Sequence, residues 1–414
     1  MKVLISAYSY APGRGSEPGT GWSIAWELAK YYEIWILTRP TEGRQAVEAA
    51  LEQRSVPNMH VIYCSLPFWP NSQNWYSKQL HYYLWQLWAY FAGRQLQQEI
   101  GFDLIHHITF ARYWVPSLLA LLPVPFIWGP VGGGESTPKQ FFSDFSVRGQ
   151  VFERVRNLAR WIGEHDPLVR YTARRSALAL ATTEETAQRL YRIGAKHVQV
   201  FSQVGLPDAE IESFAHWPPP IVPPIRFISV SNLAHWKGCH LGLRAFAQVQ
   251  QHIGMEQSEY WVVGDGPERQ RLPALAKALG ILGRVRFWGV LPRPETLKKM
   301  GECHALVHPS FHESGGWVCM EMMAAGRPVI CLDLGGPALQ VTDATGFKIP
   351  ASNPNQVVRD LGAVMVKLAQ DPVLLKRLGE AAHNRVRHLF NWQIKGRHLA
   401  ELQKTIVAQQ KQLR

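Results

Sequence analysis

Residues 309–336 read Pro-Ser-Phe-His-Glu-Ser-Gly-Gly-Trp-Val-Cys-Met-Glu-Met-Met-Ala-Ala-Gly-Arg-Pro-Val-Ile-Cys-Leu-Asp-Leu-Gly-Gly, and they set two carboxylates, Glu313 and Glu321, around a glycine turn that opens a helix. The first amides after Gly315 and Gly316, starting with Trp317, have no acceptor inside the helix and carry the positive end of its dipole. A diphosphate can therefore sit on them without a metal ion. Glu313, before the turn, can face a hexose, while Glu321, about two helical turns deeper, can reach ribose hydroxyls beyond the phosphates. Carboxylates suit both tasks because each oxygen accepts hydrogen bonds from vicinal hydroxyls. This is an arrangement for holding a sugar nucleotide.

Working outward, the 414 residues exceed one comfortable core and imply two domains, and the 46% hydrophobic content supports a folded protein. No stretch of about 18 uninterrupted apolar residues occurs, and Met-Lys-Val-Leu-Ile-Ser reads as a first strand rather than a signal peptide, so a cytoplasmic protein is expected. Cys64, Cys239, Cys303, Cys319 and Cys331 are odd in number and lack Cys-x-x-Cys spacing, which argues for buried small residues and against disulfides or zinc. The formal net charge of +12 needs an anionic counterpart. Nucleic acid ranks last because no helix-turn-helix, zinc-finger or RNA-binding signature is present; anionic substrates and an anionic membrane surface remain.

Apolar runs at residues 2–8, 33–38, 60–64, 103–107, 125–128 and 178–182 alternate with helical patterns, and a second series follows at 226–231, 260–264, 284–288, 304–307 and 328–331. Continuous apolar strands between helices indicate α/β domains with parallel sheets covered on both faces. Pro207, Pro218, Pro219, Pro220, Pro223 and Pro224 mark residues 205–224 as a stiff linker. The expected domains are 1–204 and 225–392, with a helical break at Asn391-Trp392.

The motif at 313–321 resembles the Glu-x7-Glu motif of the retaining family 4 glycosyltransferases, the group 1 glycosyl transferases, which have the GT-B fold. The order of five segments carries the likeness: Lys237-Gly238 after a strand, Gly264-Asp265-Gly266-Pro267-Glu268, Val285-Arg286-Phe287-Trp288-Gly289, the motif itself, and Thr345-Gly346-Phe347. The resemblance implies two Rossmann-like doubly wound domains facing each other across a cleft, the first binding the acceptor and the second the nucleotide sugar. It also implies that the last helix, 393–412, packs back on the first domain. Lys237 matches a cation that flanks the leaving diphosphate; the arginine usual five residues earlier is Asn232, so Arg14 or Arg112 must supply the second charge. Gly335-Gly336 matches a glycine pair on the diphosphate side, and Gly266 lines the nucleotide cleft.

Three further loops follow strand ends, where open parallel sheets bind ligands. Residues 9–21 carry Gly19 and Gly21, read either as an ordinary strand-to-helix turn or, by likeness to the family's glycine loop, as backbone approaching the donor. His106 and His107 end a strand, where relatives place a histidine near the anomeric carbon; His107 is favoured, although Ile108 stands where a second histidine is usual. Gly132-Gly133-Gly134-Glu135 admits an acceptor-binding glutamate or a flexible solvated loop.

Aromatics crowd the stretch from Phe68, Trp69, Trp75 and Tyr76 through Tyr82, Tyr83, Trp85, Trp88 and Tyr90 to Phe91, and arginines from Arg148 to Arg175 interleave with Val151, Phe152, Leu158, Trp161 and Ile162. Such segments are either buried helices or basic amphipathic ones lying on an anionic bilayer. The expectation is a retaining, metal-independent hexosyltransferase using a UDP- or GDP-linked sugar, with a saccharide or lipid-linked acceptor, peripheral on the inner face of a membrane and serving exopolysaccharide or glycolipid synthesis. The chain has no Asp-x-Asp motif, so no cofactor or metal is expected and Lys237 with the helix amides must steady the leaving group. A non-hydrolysing sugar-nucleotide epimerase fits the same donor site. A catalytically silent scaffold fits Asn232 but not the retained Glu313, Glu321 and Lys237.

Overall fold

The computed structural model describes residues 1–40, 43–54, 56–67, 69, 75–252 and 254–412, without the side chains of 75–78. The chain divides into two compact units, one of Met1–Gly134, Arg156–Gly205 and Trp392–Arg414, the other of Glu135–Val155 and Leu206–Asn391.

The first unit is built on a parallel sheet of β1 (Lys2–Ala7), β2 (Glu33–Thr38), β3 (Met59–Tyr63), β4 (Leu104–Thr109), β5 (Phe126–Val131), β6 (Leu178–Ala181) and β7 (Val198–Val200), in the order β3-β2-β1-β4-β5-β6-β7. Its helices are α1 (Ser16–Leu28), α2 (Arg44–Gln53), α3 (Trp75–Ile100), the later part of α4 (Val147–His165), α5 (Pro167–Arg175) and α6 (Glu184–Arg192). β1, β4 and β5 are buried on both faces because helices cover both. Their residues Val3, Leu4, Ile5, Ile105, Phe126 and Ile127 have no exposed surface.

The second unit starts with α7 (Asp208–Ala215) and carries a parallel sheet of β8 (Arg226–Val230), β9 (Glu259–Val263), β10 (Val285–Gly289), β11 (Ala305–His308), β12 (Val329–Leu332) and β13 (Gly346–Ile349). The order is β10-β9-β8-β11-β12-β13. Flanking it are α8 (Cys239–Val249), α9 (Arg271–Ala278), α10 (Arg293–Gly301), α11 (Trp317–Ala324), α12 (Gly335–Gln340), α13 (Pro354–Gln370) and α14 (Pro372–Leu389). Asn353 and Asp371, each followed by proline, cap α13 and α14 by accepting from the amides of Gln356 and Leu374. All five cysteines are reduced and buried.

Three local expectations need correction. Residues 205–224 are not a bare linker, because Asp208–Ala215 forms α7, whose Ile211 and Phe214 are buried and whose faces meet α11 and α14. Residues 135–155 group with the second unit although they precede the end of the first sheet. The loop taken as 9–21 ends at Ser16, since the glycines that look like a turn lie inside α1. A Cβ on Gly19 would strike the Arg14 carbonyl, and one on Gly21 the Ser9 carbonyl, so they serve close packing of α1 on its own loop. The short strands β7 and β13 have too few residues to stand out by pattern.

The last helix, α15 (Trp392–Gln412), belongs to the first unit. Gly396 allows it to meet Glu27 of α1, and Tyr32 donates from its hydroxyl to the Ala400 carbonyl at 2.6 Å. Lys395 lies buried, donating to the carbonyls of Ser202 and Val204 at 2.5 and 2.6 Å. Burial brings its pKa from 10.5 down to about 7. Because the folded value lies below the unfolded one, the unfolded chain holds more protons between about pH 7 and about pH 10, and this lysine makes stability rise with pH across that window. The melting temperature of the wild type should therefore gain on that of Lys395→Met as pH is raised through the window, as measured by paired thermal unfolding.

Candidate functional site

In the second sheet the strand order reverses between β8 and β11, and ligands of open parallel sheets bind beyond the carboxyl ends at such a reversal. The loop after β8 leads through a 3-10 turn, His235–Lys237, to Gly238 in the left-handed region. A Cβ there would collide with the Pro309 carbonyl, so glycine lets this loop touch the one after β11. The loop after β9 is pinned to the same place, with Leu233 N donating to Asp265 O at 2.8 Å and Glu268 N to Leu233 O at 2.9 Å. Gly266 faces Asn232 and Leu233, where any side chain would clash. After β12, Gly336 N donates to Glu313 O at 2.7 Å, and side chains on Gly335 or Gly336 would run into the carbonyls of residues 313–315. Four strand ends thus converge on the turn that precedes α11.

At their meeting point Lys237 and Glu313 form an ion pair, both side chains largely buried. Burial alone would raise the Glu313 pKa, but the Lys237 ammonium and His308 outweigh it and hold the carboxyl well below the usual range. His308, the last residue of β11, turns its Nε2 toward Glu313 at 3.7 Å, too long for a hydrogen bond. Burial lowers the pKa of His308, with Glu313 opposing it. Gly316, in the left-handed region, caps α11, and the Gln340 amide donates to the Gly315 carbonyl. The amides of Trp317 and Val318 head the first turn, while Cys319 N donates to Gly316 O at 3.0 Å.

Glu321 lies within α11 with its side chain 12% exposed, paired to Arg293 of α10 at 2.8 Å. Arg293 also holds Glu210 of α7 at 3.1 Å. Burial raises the Glu321 pKa and Arg293 offsets part of that. Asn232 is exposed, and no cation replaces the missing arginine at its own position.

Two glutamates from residues 135–155 brace this site. Glu135, 2% exposed, accepts from Ser314 Oγ at 2.9 Å, so it holds the turn rather than lying in solvent as a loop glutamate. Glu153, with no exposed surface, takes His235 Nε2 at 3.0 Å and His312 Nε2 at 2.8 Å on one oxygen. Trp236 is stacked between Phe152 and His312. His235 and His312 immediately flank the segments bearing Lys237 and Glu313, so one carboxylate fixes both loops. Sequence reasoning missed His308, Arg293, Glu210, Glu153 and His312. Only His308 had a signal, as the terminal residue of the strand leading into the motif.

His106 and His107 lie inside β4, which runs on to Thr109. His107 has no exposed surface; Nε2 meets Tyr82 Oη at 3.1 Å, Nδ1 meets Ser117 Oγ at 3.2 Å, and burial lowers its pKa to about 3. Both its nitrogens thus have partners inside the core of the first unit. Arg112 donates to Gln79 within the same unit.

Residues 216–385 match the family described as glycosyl transferases group 1. A D-inositol 3-phosphate glycosyltransferase of Streptomyces bingchenggensis is 38% identical over 125 residues, 30% of this chain and 26% of that one. The chain spans less than half the length of the first curated relatives it matches, 26%, 38% and 43%. Among solved structures, sucrose-phosphate synthase of Thermosynechococcus elongatus aligns with a TM-score of 0.67 at 18% identity, covering 98% of this chain and 99% of that one. The Anabaena HepE structure in complex with UDP aligns at 0.61 with 18% identity, covering 98% and 100%. Those likenesses give the fold as GT-B, an α/β fold of two Rossmann-like units.

Replacing Glu153 by alanine leaves two buried histidines without their acceptor. Urea unfolding should show a loss of about 3 kcal/mol, with Glu153→Gln, which keeps an acceptor oxygen, losing less.

Proposed function

We propose that this chain, whose residues 216–385 belong to the glycosyl transferases group 1 family, transfers a hexose from a nucleotide diphosphate sugar to an acceptor hydroxyl with retention of configuration and without a metal ion. The observation that carries the proposal is the Lys237–Glu313 pair at the β8/β11 reversal, beside the glycine-capped start of α11. In this reading an arriving diphosphate draws the Lys237 ammonium and the first amides of α11 onto its oxygens. Glu313, released from the lysine, accepts hydrogen bonds from hexose hydroxyls.

Because Glu313 is held ionised, it is no proton donor to the leaving group. Its negative charge instead steadies the positive charge that develops at the anomeric carbon. The leaving phosphate takes the acceptor proton on the attacked face, so no close pair of carboxylates of the glycosidase kind is needed. Glu321 keeps one side for Arg293 and offers the other oxygen to ribose. The acceptor is a saccharide or a lipid-linked sugar, in exopolysaccharide or glycolipid synthesis, and the enzyme works peripherally at the cytoplasmic face of an anionic membrane.

Two measurements test this. Thermal stabilisation by UDP, GDP, ADP and their hexose conjugates, without metal, should single out one nucleotide family, with about 2.7 kcal/mol gained at a hundredfold excess over Kd; no stabilisation by any of them removes the donor site. Glu313→Ala should abolish transfer while its far-UV circular dichroism stays that of the folded wild type, and Lys237→Ala should lower kcat by about 100-fold or more. Wild-type turnover by Glu313→Ala would sink the assignment of the site.

A further inference from the structure

α4 is turned inside out. Its inward side carries charge: Glu153 grips His235 and His312, Arg160 donates from Nε to Tyr113 Oη at 2.8 Å and from Nη2 to Gly134 O at 2.7 Å, and Glu164 takes Tyr113 and Arg189 at 2.8 and 2.7 Å. The residues between them, Val147, Val151, Val155, Leu158, Trp161 and Ile162, lie between 50% and 78% exposed. Their spacing of three and four puts them in one stripe along a helix about 28 Å long. An ordinary surface helix has the opposite arrangement. Turning Glu153, Arg160 and Glu164 inward onto hydrogen-bond partners while six large apolar side chains stay in water is not what a freely solvated helix requires.

The first unit continues the pattern. Leu80, Tyr83, Leu84, Leu87, Trp88 and Phe91 form a second exposed stripe on α3, again at helical spacing, and Leu168 and Tyr171 add to it on α5. The 3-10 turn Leu118–Leu121 packs against both α3 and α5, which sets them on the same side of the unit. Asp166, at the junction of α4 and α5, acts on the Tyr83 hydroxyl across that side. Of the aromatics singled out between residues 68 and 91, Phe68 and the side chains of Trp75 and Tyr76 lie outside the described residues, and Tyr82 and Trp85 are core. Single exposed apolar residues are ordinary, whereas paired stripes of this extent mark a surface made to be covered.

Charge decides what covers it. Within the first unit Arg94 on α3 and Arg174 on α5 are exposed. The acids of α4 point inward, and Asp166 caps α5 by accepting from Leu168 N at 2.7 Å. A second copy would bring the same arginines together on a chain of net charge +12, and repulsion opposes that. A bilayer with anionic headgroups attracts the arginines, takes up the aliphatic side chains, and suits Trp161, Trp88, Tyr83 and Tyr171, which have apolar rings and a polar tip. No helix among the described residues is long and apolar enough to cross a membrane.

We infer that the face of the first unit formed by α3, α5 and the later part of α4 lies in the headgroup layer of an anionic lipid bilayer. This rests on the membrane-surface reading above and names the surface that performs it. The inverted polarity of α4 then has a purpose: the helix braces the second unit's site loops with its charged side and meets lipid with its apolar side.

Flotation of the full chain with vesicles of phosphatidylcholine alone, and with equimolar phosphatidylcholine and phosphatidylglycerol, tests it. The wild type should float with the anionic vesicles and bind the neutral ones about tenfold more weakly or worse, with added salt weakening the anionic binding. The double variant Trp161→Glu, Ile162→Glu and the single variant Trp88→Glu should each lose about tenfold or more in anionic-vesicle affinity, with far-UV circular dichroism and melting temperature as in the wild type. A wild type that stays out of the anionic fraction, or folded variants that float as it does, overturns the proposal. So does a dimer in sedimentation velocity that Trp161→Glu dissociates, since a second copy is then the occupant. A protein that floats as described yet is stabilised by no nucleotide sugar retains this surface and overturns the transferase reading instead.

Discussion

One buried carboxylate organises the second unit. Glu153 holds His235 and His312 on a single oxygen, and those histidines flank the segments that carry Lys237 and Glu313. A charged group with no exposed surface persists only when its partners compensate for lost water, so its geometry is fixed more tightly than that of a surface pair. The loops after β8 and β11 inherit that fixity. Without it the lysine and glutamate would each have the freedom of a long side chain on a flexible loop, and their pairing would be an exposed ion pair of little worth.

The glycines complete what the carboxylate begins. Gly238, Gly335 and Gly336 occupy positions where a side chain would strike the backbone of a neighbouring loop, and Gly316 adopts the left-handed conformation that starts α11 at the correct residue. Backbone packed on backbone leaves the helix amides at the bottom of a turn lined by Lys237, Glu313 and Ser314. In the proposed reaction those oriented dipoles need no reorganisation as charge develops on a bound diphosphate. Glu321 and Arg293 form a separate pair further along α11.

α4 links packing to surface chemistry. In most helices the apolar side supplies the core; here the core contact is made by Glu153, Arg160 and Glu164 through directed hydrogen bonds. Directed bonds fix rotation of a helix about its axis, since a turn of even one residue would break all three sets. The stripe from Val147 to Ile162 is thereby held outward.

By itself the sequence determined the two parallel-sheet units, the strands from β1 to β12 apart from β7, the reduced buried cysteines, and the turn with Glu313, Gly315, Gly316 and Glu321, because each of these is a local pattern of apolar runs, glycine placement or fixed spacing. It did not determine which polar groups are paired. Arg293 and Glu210 with Glu321, or Glu153 with His312, lie far apart in the chain, and nothing periodic connects them. His107 is favoured by the resemblance alone, and only the packed core shows that Tyr82 and Ser117 meet its two nitrogens. Gly19 and Gly21 read equally well as turn glycines or as packing glycines, and only the structure shows that they lie inside α1 with no room for a side chain. The tertiary structure alone decided the facing of α4, since the alternation of arginines with valines and tryptophan is equally compatible with either side inward until the partners of Glu153 and Arg160 are in place.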